Sequence, residues 1–452
     1  VNEFTPDEDF NIDVRSPEFS DDSLALRFTL SNIERVRYVA RWGRWYIWDG
    51  KRWAEDDKCE AFDLVRDVCR EASSRCNNQP GVATKLASAK TVGAVHKLAQ
   101  ADQRTAAVVS QWDADPWLLN TPAGVIDLRT SRLRPGRPED YMTKLTAVAP
   151  TAWSCPLFLK FLDEITASDH ELQAFLQTVL GYALTGSTSA HSLFFGWGTG
   201  ANGKSTLLST TAYILGDYHR VAPIETFTVS NSERHPTELA GLVGARLVTA
   251  TETEEGRNWA EARIKQLTGG DPISARFMRQ DFFDFVPQFK LFVSGNHKPG
   301  LRTVDEAIKR RFHLIPFNVT IPKERRDPDL GDKLRAEAPG ILQWMIEGCM
   351  KWQRDGLKPP AVVAAATQAY LESQDLLPQW LNECCEIGKQ FEEQASELYK
   401  SWTKWCEANG EKPGSHKKFG EKLEARFART RSKASRGYEG LRLMPGWTHA
   451  CD

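Results

Sequence analysis

The chain has 452 residues, 41% hydrophobic and 26% charged, with 58 Lys and Arg against 60 Asp and Glu for a net charge of −2. At about 150 residues per domain there is room for roughly three domains, and a core of that size needs neither a disulfide frame nor a structural metal. No apolar run approaches the ~18 residues of a membrane-crossing helix, which excludes such a span. No charged start runs into an apolar stretch, so no secretion signal is expected. The 9 cysteines are odd in number and form no CxxC, a pattern of reduced cytosolic thiols and of a cytoplasmic protein. The chain opens on Val1, which reads as a fragment and would place any N-terminal partner domain upstream.

Residues 1–30 are polar, acidic and aperiodic, and read as a loose lead-in. In Trp45-Tyr46-Ile47-Trp48-Asp49-Gly50-Lys51-Arg52-Trp53, Asp-Gly between alternating aromatics predicts a hairpin with a type I′ turn. Arg41, Arg44, Lys51 and Arg52 flank it. Basic residues among aromatics suit nucleic acid, but packing of the rings on the following helices is the favoured reading. Leu64, Val65, Val68, Cys69 and Ala72 lie at helical spacing, and the Ala/Val-rich stretch 82–112 predicts further helix up to Asp115-Pro116. Short strands are expected over 117–150. Two helices follow, over about 156–166 and 169–184, the second capped by Ser168 or Asp169. Apolar strands alternate with helical stretches from 191 to 318, the α/β signature. Residues 340–352 read as helix, and Pro359-Pro360 as a joint.

The tail is basic: from Lys412 to Arg442 Lys and Arg outnumber the acids Glu421, Glu424 and Glu439, which points to a polyanion partner. A helix carrying Leu398, Trp402, Trp405 and Cys406, a second with Phe419, Leu423 and Phe427, and a turn at Arg436-Gly437 between two strands make the order of a winged helix. Lys417, Lys418, Arg429, Arg431, Lys433 and Arg436 are its candidate DNA contacts.

The strongest motif is Gly198-Thr199-Gly200-Ala201-Asn202-Gly203-Lys204-Ser205, the Walker A pattern, between the apolar strand Leu193-Phe194-Phe195 and a helix from Thr206 to Leu215 closed by Gly216. Glycines let backbone N–H groups wrap phosphates, and the helix start adds a favourable dipole. Gly198, Gly200, Ala201, Asn202, Gly203, Lys204, Ser205 and Thr206 are therefore the expected ATP-binding residues. Lys204 would reach the β and γ phosphates and Ser205 would hold Mg²⁺. Hydrolysis also needs a metal-side acid, a group that orients water and a cation for the transition state. The strand Ala245–Thr251 ends in Glu252-Thr253-Glu254-Glu255; with that strand beside the phosphate loop, Glu252 would serve the metal and Glu254 the water. The strand Phe289–Gly295 ends at Asn296, an amide able to orient water. Arg310-Arg311, ahead of the strand Phe312–Ile315, would offer an arginine finger to a neighbouring subunit, with either residue eligible.

This order of motifs resembles the superfamily 3 helicases, specifically the phage and plasmid primase–helicase family related to the poxvirus primase-helicase. Beside the Walker A loop, the resemblance rests on Leu119-Asn120-Thr121 with Gly124-Val125-Ile126-Asp127-Leu128, on Thr251 to Gly256 and on Leu267-Thr268-Gly269-Gly270-Asp271. It continues through Gly295-Asn296-His297-Lys298-Pro299, Asp305-Glu306-Ala307-Ile308 with Arg310-Arg311, and Ile315-Pro316-Phe317. The resemblance implies an AAA+-like P-loop ATPase core assembled as a ring, a hexamer, with ATP between subunits. It implies 3′→5′ translocation on single-stranded DNA and action on forked DNA during replication of a mobile element. A primase domain or subunit is often fused or partnered. It implies a DNA-contacting hairpin, here Ile273–Asp281, where Arg276, Phe277 and Arg279 suit phosphates and bases.

The expected fold class is α/β, an AAA+-like core with a mainly helical N-terminal module and a C-terminal winged helix. The expected division is an N-terminal module over 1–115, a β-rich connection and helical collar over 116–190, the ATPase core over 191–335, a helical lid or linker over 336–385, and the basic winged-helix domain over 386–452. The cofactors expected are ATP and Mg²⁺, with no membrane partner. An origin-binding initiator that uses ATP only as a switch is the rival reading, and a small-molecule P-loop kinase leaves the Arg pair and the basic tail unexplained.

Overall fold

A computed structural model describes residues 17–76, 78–229, 237–251, 256–279, 281–301, 304–374, 376–409, 413–431 and 436–445. The N-terminal part runs α1 (Asp21–Ser31), β1 (Val36–Val39), β2 (Arg44–Trp48), β3 (Trp53–Glu55), α2 (Glu60–Ser74), α3 (Pro80–Leu86) and α4 (Ala89–Ala99). Its core gathers Leu24, Phe28, Val36, Trp45, Val65, Cys69 and Val95. The lead-in is therefore not loose from residue 21 onward. Ser20 caps α1 by accepting from Ser23 N, and Leu24, Ala25 and Phe28 form one buried stripe that the surrounding acids obscure.

The β2–β3 hairpin exists, but its connection is not a two-residue type I′ turn. Trp48 pairs with Trp53, and Asp49 Oδ1 accepts from both Lys51 N and Arg52 N at 2.8 Å, so a side chain organises a four-residue loop. The aromatic rings pack inward, as the packing reading holds. Trp53 is fully buried and its Nε1 donates to Pro138 O, while Trp45 donates to His96 Nε2 at 2.9 Å. The helical expectation for 82–112 holds only to Ala99. Beyond it the chain runs beside β1, with Tyr38 N donating to Thr105 O and Ala107 N to Tyr38 O.

The middle of the chain continues with β4 (Leu118–Thr121), β5 (Gly124–Asp127), β6 (Arg132–Arg134), α5 (Pro156–Ile165) and α6 (His170–Tyr182). Asp169, of the two candidates, caps α6 through Leu172 N at 2.9 Å. Then come β7 (Leu193–Trp197), α7 (Lys204–Leu215), β8 (His219–Val221), α8 (Thr237–Ala240), β9 (Leu247–Thr251), α9 (Glu261–Gly269), β10 (Ile273–Ala275), β11 (Phe283–Phe285), β12 (Lys290–Gly295), α10 (Glu306–Lys309) and β13 (Phe312–Pro316). Strands β13, β7, β12, β9 and β8, in that spatial order, form one parallel sheet. Burial on both faces explains their near-continuous apolar runs. One face shares a core with the preceding and following segments: Leu119, Phe158, Leu176, Phe194, Leu207, Leu342 and Met345 belong to a single cluster.

Two cations are buried in the sheet's N-terminal edge. Arg246 Nη1 donates to Leu184 O at 2.6 Å, and Lys290 Nζ donates to the carbonyls of Thr185 and Ser187; desolvation lowers both pKa values. Carbonyl dipoles in place of carboxylates satisfy them and tie residues 184–187 to the sheet.

The last part is α11 (Leu330–Ala336), α12 (Ala338–Asp355), α13 (Ala361–Gln374), α14 (Leu376–Cys384), β14 (Cys385–Gln394), α15 (Ala395–Ala408), α16 (His416–Glu424), β15 (Arg429–Arg431) and β16 (Arg436–Leu443). The final strands make an antiparallel sheet in the order β14, β16, β15, over a core of Trp380, Leu398, Trp402, Trp405, Phe419 and Leu423. Arg436 and Gly437 were expected in the turn. They lie instead in β16, paired with Arg431 and Thr430.

Candidate functional site

Sheet register decides what meets the glycine-rich loop. Trp197 ends β7 beside Gly295 of β12 on one side and Pro316 of β13 on the other. The loop 198–203 thus leaves the C-terminal edge of the sheet next to Asn296 and turns into α7. Gly200 and Gly203 take φ of 108° and 79°, a region that strains any side chain. A Cβ on Gly203 would also enter the shell of Ile165 Cγ2 and lie 3.0 Å from Phe161 Cε2. The loop is pinned from outside: Asn202 Nδ2 donates to Phe317 O at 3.1 Å and Ile321 N to Ala201 O at 2.8 Å.

Lys204, first residue of α7, is only 5% exposed. Its Nζ donates to Gly198 O at 2.8 Å, to Asn202 Oδ1 at 3.1 Å and to Asn296 Oδ1 at 3.4 Å. All three acceptors are neutral, and burial pushes the ammonium down to about 8. A buried cation whose partners among the described residues are amide oxygens, under a cradle shaped by positive-φ glycines, fits an anion such as a phosphate chain. Ser205 is exposed and Thr206 half-buried at the same helix start.

The strand order alters one expectation. The acid-tipped strand β9 is not beside β7; β12, whose whole run is buried, lies between them. Thr251 ends β9 opposite Ser294 at the same sheet edge. Two strand spacings, about 10 Å, then separate β9 from the loop strand, a gap that a carboxylate and a bridging cation can span. Glu252 and Glu254 lie outside the described residues.

Reading motifs one at a time missed Lys298. Its Nζ sits 4.0 Å from the centroid of the Trp197 ring, and desolvation lowers its pKa. Trp197 in turn donates from Nε1 to Asn296 O at 3.1 Å. This second cation stands at the loop's mouth, and its signal lay in the flanks of two motifs, just before the loop and just after Asn296.

Arg310 and Arg311 part company. Both precede β13, whose Phe312 pairs with Leu193, so they sit at the N-terminal edge of the sheet. That is about 16 Å, a strand length, from the loop of their own chain. Arg310 is exposed and lines an open cavity of about 680 Å³ with Ser192, His313 and Trp352. Arg311, expected as an equally eligible finger, is 7% exposed. Its Nε donates to Thr268 Oγ1 at 3.1 Å and its Nη1 to Ala307 O at 2.8 Å. Burial and those bonds commit it to its own chain.

Residues 273–275 form one side of a hairpin, β10 pairing with β11 from Ile273↔Phe285 to Ala275↔Phe283. Arg276 lies over the Phe282 ring at 4.8 Å and Phe277 stacks on Phe283 at 5.7 Å. The aromatic tip therefore extends past the expected segment. Phe277, Met278 and Phe282 are 42%, 68% and 53% exposed, and Arg279 takes a φ of 60° at the tip.

In the tail, Lys417, Lys418 and Arg436 are exposed, while Arg429 is paired with Glu424 at 2.7 Å. Lys433 lies outside the described residues, as does the side chain of Arg431. Among the described residues no cluster of His, Cys, Asp and Glu could hold a metal, and no helix is long and apolar enough to cross a membrane.

Residues 25–167 match the family described as D5 N terminal like, and residues 197–311 match a family of unknown function, DUF5906. The chain is 26% identical over 323 residues to the "Putative helicase L207/L206" of Acanthamoeba polyphaga mimivirus, covering 66% of this chain and 34% of that protein. It is 27% identical over 274 residues to the "Putative helicase 022R" of Frog virus 3, covering 56% and 28%. The chain is related to the phage and viral primase-helicases. It spans between 28% and 34% of the length of these two relatives. Two apo structures of the NrS-1 C-terminal region share the fold, with TM-scores of 0.51 and 0.52 at 11% and 10% identity. They cover 88% and 86% of this chain and 81% and 80% of those chains.

Proposed function

We propose that this chain is the motor of an ATP-driven, ring-forming DNA helicase that translocates on single-stranded DNA during replication of a phage, plasmid or other mobile element. The observation that carries the reading is the buried Lys204 ammonium, held among the described residues by neutral oxygens of Gly198, Asn202 and Asn296. ATP lies along the loop, with the backbone of residues 198–204 on its phosphates and Lys204 exchanging its neutral partners for the β and γ phosphates. Ser205 and Glu252 would hold Mg²⁺, which would supply positive charge to the phosphates. Glu254 and Asn296 orient the attacking water. Release of the Lys204 contact leaves the Asn296 Oδ1 free to accept from that water, which links phosphate binding to water placement. Arg310 lies too far from its own loop and reaches the γ-phosphate of the next subunit, so the active unit is a ring, a hexamer by family resemblance.

The 273–285 hairpin tracks DNA with Arg276, Arg279 and its exposed aromatics, 3′→5′ by the same resemblance. The element order α14, β14, α15, α16, β15, β16 is read as a winged helix, with Lys417, Lys418 and Arg436 on duplex phosphates. A primase acts with the motor as a fused domain or a partner.

The test is unwinding of a forked duplex with ATP and Mg²⁺ beside Lys204→Ala. Strand separation lost in the variant supports the helicase. DNA-stimulated ATPase without any separation supports an initiator switch instead, and undiminished ATPase in Lys204→Ala refutes the site.

A further inference from the structure

We infer that α9 is a rigid coupler that ties the 273–285 hairpin to Arg310, and that Thr268 is its positioning residue. This rests on the helicase reading above. α9 has one end, through Gly270 in a left-handed conformation with φ of 83°, running directly into Asp271, Pro272 and β10. Ile264 and Leu267 of the helix and Ile273 of the hairpin share one buried cluster, so the hairpin base and α9 move as a body.

The same helix clasps the Arg310 segment twice. Thr268 Oγ1 donates to Ile264 O at 2.7 Å and accepts from Arg311 Nε at 3.1 Å, filling both of its hydrogen-bonding roles. Lys265 pairs with Asp305, the residue that caps α10 by accepting from Ile308 N at 2.9 Å. Thr268 O also receives His191 Nδ1 at 2.9 Å, just before β7. Arg310 stands between these clasps, one residue from Arg311 and five from Asp305. A displacement of the hairpin by DNA is thereby carried into the position of Arg310, at the edge offered to the neighbouring copy. Arg311 is then an anchor for Arg310, not a second finger. The chain of contacts is a physical connection whose energetic coupling is measurable.

The experiment is ATP turnover of the full chain with and without single-stranded DNA, for wild type, Thr268→Val, Thr268→Ser and Lys265→Met. The readout is the ratio of stimulated to basal turnover, which a partly unfolded sample does not change. The ratio should fall towards one in Thr268→Val, by at least half in Lys265→Met, and return in Thr268→Ser, with KM for ATP unchanged because the loop is untouched. A wild-type ratio in Thr268→Val overturns the inference. If that variant does not fold, a wild-type ratio in Lys265→Met does so, and so does failure of Thr268→Ser to restore it. A wild-type chain whose ATPase ignores DNA sinks the helicase reading first, and this inference with it.

Discussion

Raising the pH from about 7 to about 9 should weaken nucleotide binding about tenfold through one side chain, Lys204. Burial pushes its ammonium down to about 8 in the nucleotide-free protein, the partners among the described residues being neutral oxygens. By that value the free chain is about 90% protonated at about pH 7 and about 10% at about pH 9. A phosphate chain against Nζ favours the charged form and raises its pKa. Below about pH 8 the free and bound states carry the same proton and binding is pH-independent. Above it the free state has lost the proton that the bound state regains, so affinity falls and one proton is taken up. Calorimetric titration with a non-hydrolysable ATP analogue, in two buffers of different ionisation heat, measures both effects. Equal affinity at both pH values, with heats independent of buffer, would refute the reasoning. The same shift has a stability consequence of fixed sign. The folded pKa lies below the ordinary 10.5, so the cost of keeping Lys204 charged is fully present below about pH 8 and relieved between about 8 and 10.5. At about 1.4 kcal/mol per pH unit that cost is at most about 3–4 kcal/mol, which a bound nucleotide would offset.

The two arginines should separate cleanly under mutation. Arg310→Ala should leave the melting temperature unchanged and lower ATP turnover, with partial recovery on mixing with Lys204→Ala; Arg311→Ala should cost about 2–4 kcal/mol of stability by stripping buried hydrogen bonds. Equal melting temperatures for the two variants would contradict the burial of Arg311. Gly203→Ala combines a left-handed backbone with overlap on Ile165 and Phe161. It should destabilise the chain by about 2–4 kcal/mol and abolish nucleotide binding, and a variant of wild-type stability in denaturant would show that the loop can relax.

What was legible in the sequence is whatever a few neighbouring residues decide. The loop-to-helix unit at 198–215, α2, α5, α6 and the buried strands follow from periodicity, caps and glycine placement, all local quantities. The resemblance rested on such short motifs, and the comparisons agree with it. Local pattern fails where two readings differ only in what lies opposite. The acids around α1 hide a stripe of Leu24, Ala25 and Phe28 that has meaning only against α2 and α4. Asp49-Gly50 reads as a two-residue turn until the Asp49 side chain is seen closing a wider loop.

Strand order, and the direction in which an arginine points, are decided by tertiary structure alone. Motif order along the chain placed the acid-tipped strand beside the phosphate loop, yet β12 takes that place and brings Asn296 to Lys204. Arg310 and Arg311 are adjacent and chemically identical, so nothing in the sequence ranks them. The turn of α10 and the Thr268 hydroxyl 43 residues away rank them, burying one guanidinium and leaving the other outside. The sequence by itself determined which residues form the glycine-rich cradle, because a cradle is a local object. Which groups complete that cradle, and which arginine remains for a neighbour, followed only once distant strands were packed into register.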